Sequence, residues 1–284
     1  MSNETYCLVL SCPDRPGIVA RVSALLFEHG ANILEARQFE DVETGKFFMR
    51  VVFEYPGQID MLNRELDYVA SEFDMTIGLR NVARRKRVLV LVSNHDHCLA
   101  DLLYRYRIGE LNMEIAGVIS NHPKDALIAT MIGDIPHHHL PVTKDTKSEQ
   151  ERQIKSIVEE TAADLVVLAR YMQILSDDLC AYLAGRCVNI HHSFLPGFKG
   201  ARPYHQAHAR GVKMIGATAH FVTADLDEGP IIAQDVEQVS HADTPEDLVR
   251  KGRDIERRVL ARAVTYLLDD RVMLNDNKTV VFSM

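Results

Sequence analysis

The sequence has 284 residues and a formal net charge of -8 at pH 7, and 46% of its residues are apolar while 25% are charged. This composition is typical of a globular protein long enough to form two ordinary domains around buried cores. The acidic balance argues against binding to nucleic-acid phosphates, because the basic run "RRKR" is too short to reverse it.

The cysteines and the N-terminus further restrict the class of protein and its cellular compartment. The five cysteines are odd in number and form no C-x-x-C pair, which argues against a disulfide framework or a zinc knuckle. The N-terminus lacks a basic segment followed by an apolar run, and no apolar stretch approaches the roughly 20 residues that cross a membrane. We therefore expect a cytoplasmic protein with free thiols that binds neither membranes nor nucleic acid.

The first domain is predicted over residues 1–83. Its segments, in chain order, are a strand "YCLVLSC", a helix "RPGIVARVSALLFEHG", strands "ANILEARQFE" and "GKFFMRVVFEY", a helix "IDMLNRELDYVASEF" and a strand "MTIGLRN". The first helix has apolar residues at helical spacing and stops at Gly30. This order predicts a ferredoxin-like βαββαβ unit.

The junction "CPDRPGIVARVS" resembles the ACT domain, a small regulatory module. That resemblance implies pairing between subunits, hence a homo-oligomer such as a dimer or tetramer, and it implies an amino-acid effector bound near Asp14, Arg15 and Gly17. Asp14 is expected to cap the helix, Gly17 removes a side chain from the loop, and the helix start offers N–H groups to a carboxylate. In the alternative interpretation "DRPG" only begins the helix tightly, and dimerisation is the whole purpose of the module.

The second domain is predicted over residues 84–284 as a layered α/β structure. Its strand candidates are "VLVLVS", "MEIAGVIS", "HHLPV", "DLVVLA", "CVNIH", "MIGATAHFV" and "IIAQDVEQV", and helical segments such as "DHCLADLLYRYRIGEL" and "EQERQIKSIVEETA" separate several of them. The last helix has a Thr244 cap, Pro245 in its first turn and Asp247 as an acidic third residue, and its pattern continues to about Leu268.

The strand "CVNIH" carries the first chemical signal. Residues two apart on a strand face the same way, so Asn189 and His191 project into one space at the carboxyl edge of the sheet, where His192 begins the loop. The segment "HFVTADLDEGPIIAQ" leaves a strand, forms an acidic loop and returns to another strand. An amide donor, an imidazole and a carboxylate together are what acyl transfer or amide hydrolysis requires.

The motifs "NIHHSFLPGFKG" and "HFVTADLDEGPIIAQ" together resemble the formyltetrahydrofolate-using enzymes, whose pattern is N-x-H-x-S-x-L-P before a glycine and a later D-x-G-P-I loop. The resemblance implies a Rossmann-like formyltransferase α/β domain and makes Asn189, His191 and Asp227 the catalytic trio. The stretch "LARYMQIL" is similar to the family's L-A-G-F-M-R-I-L and is assigned to the pterin pocket. The residues so assigned to substrate binding are Met172, Gln173, Ile174, Leu175, His192, Thr223 and Asp225.

The acceptor of the formyl group separates the branches of that family. The first strand of the second domain is followed by "SNHDH" instead of a glycine-rich phosphate loop, and Asp96 adds negative charge there. We also expect neither the basic surface nor the extra C-terminal domain that tRNA formyltransferases carry. It therefore resembles the deformylases, an ACT domain followed by a formyltransferase-type domain, which implies hydrolysis of 10-formyltetrahydrofolate to formate and tetrahydrofolate, with formate for purine synthesis and balanced one-carbon folate pools.

Several alternatives stay open at the level of sequence. One is formyl transfer to an unphosphorylated amine, and another is a non-catalytic folate or amino-acid sensor. Either His191 or Asp227 is the formal base, and His192 is either a helper in hydrolysis or a loop residue. No cofactor is required beyond the folate substrate, and no metal site is expected, because adjacent histidines in "PHHHLP" and "IHHSF" diverge to opposite faces of a strand.

Overall fold

The computed structural model describes residues 3–128, 130–197 and 202–283. The chain forms two compact units. The first comprises residues up to Arg85 together with Asp269–Met273 and the segment from Val280, and the second comprises Lys86–Leu268 and Leu274–Thr279. Within the described residues no helix is long and apolar enough to cross a membrane. All five cysteines are buried, and no disulfide joins any of them within the described residues.

The first unit has the predicted βαββαβ order. Its elements are β1 (Glu4–Pro13), α1 (Ile18–Glu28), β2 (Asn32–Asp41), β3 (Lys46–Tyr55), α2 (Ile59–Phe73) and β4 (Thr76–Asn81). The antiparallel sheet has the order β2-β3-β1-β4, so β2 is an edge strand. The apolar face of α1, formed by Ile18, Val22, Leu25 and Leu26, packs into one core with the inner face of the sheet.

The expected cap of α1 by Asp14 is wrong. The helix begins at Ile18, its N-cap is Gly17, and no side chain caps it, while the backbone N–H of Asp14 donates to the carbonyl of Gly45 (2.8 Å). Two residues, Arg15 and Pro16, separate Asp14 from the N-cap, so its carboxylate does not accept from the first helical turn. Gly17 has φ +99°, and no atom lies within 4 Å of an added Cβ. The position therefore favours glycine because of its positive φ, and a side chain would have room there.

The second unit contains the remaining elements. They are β5 (Lys86–Val92), α3 (His97–Arg107), β6 (Met113–Ser120), a 3₁₀ turn (Lys124–Ala126), β7 (His137–His139), α4 (Lys147–Glu160), β8 (Leu165–Leu168), α5 (Asp177–Tyr182), β9 (Cys187–His191), α6 (Pro203–Arg210), β10 (Met214–Phe221), β11 (Ile231–Gln238) and α7 (Pro245–Leu268). The hairpin of β12 (Val272–Asn275) and β13 (Lys278–Val281) follows.

The start of α7 matches the sequence prediction. Thr244 Oγ1 accepts from the Asp247 N–H (3.2 Å), and Asp247 Oδ2 accepts from the Thr244 N–H (3.0 Å), which is a reciprocal cap. Helices α5 and α6 and the terminal hairpin were not predicted, because each is short and has too few residues to display a periodic pattern. The "FKGA" part of the histidine motif, residues 198–201, lies outside the described residues.

The seven-stranded sheet has the order β11-β10-β9-β8-β5-β6-β7. Strands β7, β6, β5, β8 and β9 are parallel, as expected for a Rossmann-like domain, but β10 and β11 are antiparallel to their neighbours. The short loop after β10 contains no crossover helix, and only an antiparallel return fits such a connection. The central strands are buried on both faces, which is why they read as continuous apolar runs.

Candidate active site

The pairing of β9 with β10 builds the first wall of the site. Thr218 lies opposite His191 and His220 lies opposite Asn189, so all four side chains lie on one face of the sheet. His191 and His220 are both buried. His220, to which the sequence prediction gave no role, thus belongs to the same group as the predicted pair. Its signal was present, since a histidine at the end of a strand directly precedes the acidic loop.

The loop between β10 and β11 delivers the carboxylate. Because β10 is antiparallel to β9, its carboxyl end lies beside the amino end of β9, with Phe221 opposite Val188. The loop then returns along the sheet, and Asp227 Oδ1 lies 3.1 Å from His191 Nδ1 and 3.7 Å from His220 Nε2. The trio of Asn189, His191 and Asp227 therefore meets over a face of the sheet and not only beyond its edge.

Two backbone features hold the loop in this path. Asp227 has φ +59°, a left-handed conformation that aspartate adopts more readily than most residues. A Cβ on Gly229 would lie 1.7 Å from the carbonyl oxygen of Phe221, so the returning chain approaches β10 too closely for any side chain. Thr223 Oγ1 donates to the Asp225 carbonyl (3.0 Å), which closes a turn inside the loop.

His191 is oriented by this carboxylate. Its Nδ1 donates to Asp227, so in the neutral ring the proton is on Nδ1 and Nε2 is an acceptor. Nε2 is buried and has no hydrogen-bond partner among the described residues. A buried ring nitrogen without a partner is costly unless a ligand or water meets it, so Nε2 is the atom that a bound reactant would contact.

Asn189 is oriented by His220. The Nδ1 of His220 lies 2.8 Å from the Phe221 carbonyl and must donate to it, while Nε2 lies 3.2 Å from Asn189 Nδ2. When the His220 ring is neutral, its Nε2 accepts a hydrogen bond from the Asn189 amide. When the ring is charged, Nε2 carries a proton and faces Asp227. One N–H of the Asn189 amide is thereby engaged and the other remains to meet a ligand oxygen.

The carboxylate of Asp227 stays ionised in this setting. Burial raises its pKa, but hydrogen bonding and electrostatic attraction by the His191 and His220 imidazoles outweigh burial, and the net result is a pKa well below the ordinary value. A carboxylate that holds its proton so weakly is a poor base and a good orienting group for an imidazole.

These residues line a cavity of about 730 Å³ within the second unit. The four residues Met172–Leu175 line it, as do His192, Thr223 and Asp225, so every residue assigned to substrate binding from sequence borders the same space as the trio. Of these, the backbone N–H of Met172 donates to Ser93 Oγ (2.9 Å) and is not available to a ligand. Ser93 also donates to Asn121 Oδ1 (2.7 Å), so it fixes the protein's own loops.

A buried group that the sequence prediction missed lies on the same cavity. Glu256 accepts from Tyr204 OH (2.7 Å), lies 2.8 Å from His97 Nε2 and lies 3.4 Å from Arg170 Nε. Burial alone raises the pKa of Glu256, but His97 and Arg170 outweigh burial and lower it to about 2. The available signal was a charged residue on the otherwise apolar face of α7.

Among the described residues, one group of side chains is close enough together to hold a metal ion by distance alone: His97, Cys98 and Glu256. Burial raises the pKa of the Cys98 thiol well above its ordinary value, so the thiol is protonated in the protein as it stands. The Arg170 guanidinium also lies against the carboxylate that a cation would need. The group is accounted for as a charge cluster of the protein itself.

The residues assigned to effector binding lie in the first unit. The Arg15 guanidinium stacks on the Phe73 ring (4.2 Å from its centroid) and donates to the Glu72 carbonyl. Asp14 and Gly17 lie in the same connection between β1 and α1.

Comparison with known proteins gives two family matches and a set of full-length relatives. Residues 86–264 match the formyl transferase family and residues 6–58 match the ACT domain family. Formyltetrahydrofolate deformylase of Corynebacterium sp. (strain P-1) is 48% identical, and the match covers 97% of each chain. That of Bacillus subtilis (strain 168) is 49% identical over 97% of this chain and 93% of the relative. The crystal structure of formyltetrahydrofolate deformylase from Burkholderia mallei ATCC 23344 superposes with a TM-score of 0.94 at 52% identity, covering 99% of this chain and 100% of that one.

Proposed function

Because the chain belongs to the formyltetrahydrofolate deformylase family, we propose that it hydrolyses 10-formyltetrahydrofolate to formate and tetrahydrofolate. The observation that carries this proposal is the His191 Nδ1 to Asp227 Oδ1 contact of 3.1 Å, which leaves a buried Nε2 without a partner beside the Asn189 amide. An oriented imidazole and an amide donor on one cavity are the groups that hydrolysis of a formamide requires.

In the proposed first step water attacks the formyl carbon. His191 accepts a proton from the attacking water through Nε2, and Asp227 stabilises the imidazolium that forms. The free N–H of the Asn189 amide donates to the formyl oxygen as it becomes an oxyanion. Removing a donor of this kind costs on the order of 10² to 10³ in kcat. His191 is thus the formal base, and Asp227 orients it.

In the second step the tetrahedral intermediate collapses. The bond between the formyl carbon and N10 breaks, the electron pair goes to N10, and the His191 imidazolium returns its proton to that nitrogen. The formic acid so formed loses its remaining proton to solvent and leaves as formate, tetrahydrofolate leaves, and the ring is again neutral. His192 lines the wall beside His191, with ring centroids 5.2 Å apart, and contributes to the shape of the site.

The folate itself is proposed to bind along Met172, Gln173, Ile174 and Leu175 and against the loop that carries Thr223 and Asp225. The apolar side chains of the first group offer a surface for a flat ring, since Met172 and Ile174 are both exposed to the cavity. The reaction as written needs no metal or other cofactor, so dialysis against a chelator is expected to leave the rate unchanged.

The activity is tested by mixing the purified protein with 10-formyltetrahydrofolate in ¹⁸O-enriched water, with no amine added, and measuring formate. Formate that carries one ¹⁸O atom is the expected product, and His191→Ala should lower kcat by about 10² or more at saturating folate. His208→Ala, on the exposed side of α6, is the matched control and should leave kcat unchanged. No formate without an amine, together with an N-formyl amine once an amine is added, would instead favour formyl transfer, and folate binding without turnover would favour a sensor.

For the first unit we propose control and assembly: an amino-acid effector at the connection that carries Asp14, Arg15 and Gly17, and a homo-oligomer, either dimer or tetramer. Supporting this, β2 is an edge strand with exposed Leu34 and Phe39, and such an edge pairs readily with another chain. Glycine or methionine is expected to change the rate, and Arg15→Ala to remove that effect. An effect retained in Arg15→Ala would put the effector elsewhere. We further propose that the protein acts in the cytoplasm and that its formate supplies purine synthesis and balances one-carbon folate pools.

A further inference from the structure

Arg170 is held in a conformation that arginine rarely adopts. Its φ is +65°, in the left-handed region, where glycine is free of strain and a residue with a side chain is not. The backbone around it is fixed on both sides, because its carbonyl accepts from the Ser93 N–H (3.2 Å) and Met172 donates to Ser93 Oγ. A strained residue kept where glycine would be free of strain points to a use for the side chain.

That side chain lies on a buried carboxylate. The Arg170 side chain is only 10% exposed, and its Nε lies 3.4 Å from Oε2 of Glu256, whose side chain is 2% exposed. Glu256 is fixed in turn by His97 and Tyr204. Removing the positive partner of a buried carboxylate is strongly destabilising, so Arg170 does not move aside easily.

The surrounding helix is shaped for this cluster. A Cβ on Gly252 would lie 2.1 Å from Cζ of Tyr204, so the phenol packs directly on the backbone of α7. Glycine inside a helix is destabilising relative to alanine. Gly252 therefore allows Tyr204 to reach Glu256, which lies one turn further along the same helix.

The cluster lies next to the reacting groups. The His192 ring lies 5.2 Å from the His191 ring and 6.4 Å from the Tyr204 ring, measured between centroids. The cavity that holds Asn189 and Asp227 is also lined by Arg170 and Glu256. Arg170 and Glu256 therefore border the same space as the reacting groups, and a second reactant must enter that space.

We propose that Arg170, held by Glu256, is the specificity-determining residue that admits water and excludes amines as acceptors of the formyl group. The inference rests on the proposed hydrolysis, and it identifies the residue that makes water the acceptor of the formyl group. An amine larger than water must displace the Arg170 side chain and leave Glu256 buried without its charge partner, whereas water fits beside the side chain.

The test measures how the formyl group divides between two acceptors. Wild-type protein and variants are mixed with ¹³C-formyl-labelled 10-formyltetrahydrofolate and glycinamide, and ¹³C nuclear magnetic resonance quantifies formate and N-formylglycinamide. Arg170→Gly should raise the fraction transferred to glycinamide at least about tenfold. Because the single variant leaves a buried charge, the double variant Arg170→Gly with Glu256→Gln provides a neutral cluster in which Gln still meets Tyr204 and His97.

Arg253→Ala is the matched control, since Arg253 lines the same cavity and no ion pair with Glu256 is found for it among the described residues. The Arg253→Ala variant should divide the formyl group between water and glycinamide in the same ratio as the wild type. The folded glycine variants could instead release formate and divide the formyl group between water and glycinamide as the wild type does. In that case Arg170 does not set the acceptor. A wild-type protein that releases no formate would refute the proposed hydrolysis itself, which is a separate result.

Discussion

At the scale of single residues, each of the two reacting groups, His191 and Asn189, is oriented by one neighbouring side chain. Asp227 orients His191 through Nδ1, and His220 orients Asn189 through Nε2. Each orienting contact frees one atom for the reactant, Nε2 of His191 and one amide N–H of Asn189. The carboxylate and His220 are therefore positioning residues, and the imidazole and the amide act on the formyl group.

Replacing His220 by Phe is expected to lower kcat by about 10-fold to 100-fold and to change KM little, because the Asn189 amide loses its fixed orientation. The measurement is a double-mutant cycle of kcat with Asn189→Ala. Since both changes act on one donor, the double variant should be little slower than Asn189→Ala alone. Losses that multiply would mean that His220 acts independently of Asn189.

His192 gives a prediction for stability as a function of pH. Burial, and secondarily the charge of Arg170, lower the pKa of His192 to about 3, so the folded protein keeps it neutral while the unfolded chain takes up a proton near its usual pKa. Unfolding is therefore favoured as pH falls from neutrality toward 3. Between pH 7 and pH 5.5 the free energy of unfolding should fall less in His192→Asn than in the wild type. The two losses should differ by up to about 1 kcal/mol, as measured by urea unfolding. Equal losses in the two proteins would mean that His192 is protonated in the folded state.

At the scale of elements, the loop between β10 and β11 decides where the carboxylate lies. The loop has no regular structure, and its path is fixed by the left-handed Asp227, the turn closed by Thr223 and the close approach of Gly229 to Phe221. A displacement of about 1 Å in a reacting group can cost 10²-fold in rate. The loop is therefore as important to the site as the rigid strands on either side of it.

Gly229→Ala tests that statement. The new methyl would collide with the Phe221 carbonyl, the loop must shift, and kcat should fall by about 10-fold or more while the protein stays folded. Gly109→Ala is the control, because Gly109 has a positive φ (+81°) that strains any side chain but has no atom within 4 Å of an added Cβ. It should lose stability and keep its kcat, as measured by thermal unfolding and formate release. Full activity of Gly229→Ala would show that the loop tolerates a different path.

At the scale of the whole molecule, the exposed edge strand β2 predicts self-association. Leu34 and Phe39 are 53% and 47% exposed, and the neighbouring strand is present on only one side. Leu34→Glu with Phe39→Glu should shift the protein to a smaller species in light scattering coupled to gel filtration, because the charges repel across a paired edge. Met131→Glu, in the second unit and 81% exposed, should leave the molar mass unchanged. An unchanged mass in both variants would exclude this edge as the contact.

Local signals in the sequence determined most of the elements and the identity of the reacting groups. The helix α1 follows from apolar spacing, α7 from the Thr244 and Asp247 cap, and the pair Asn189 and His191 from strand alternation and a motif. These features depend on residues close together in the chain, so their pattern is visible without coordinates. Family resemblance supplied Asp227, which no local periodicity marks.

Tertiary structure alone decided how those groups meet. The antiparallel direction of β10 puts His220 opposite Asn189, and the returning loop brings Asp227 to His191 from 36 residues away. The cluster of Arg170, Tyr204 and Glu256 joins three segments with no common sequence pattern. Such contacts arise from the packing of distant elements, and the free energy of burying a charge with its partner depends on that packing and not on the order of residues along the chain.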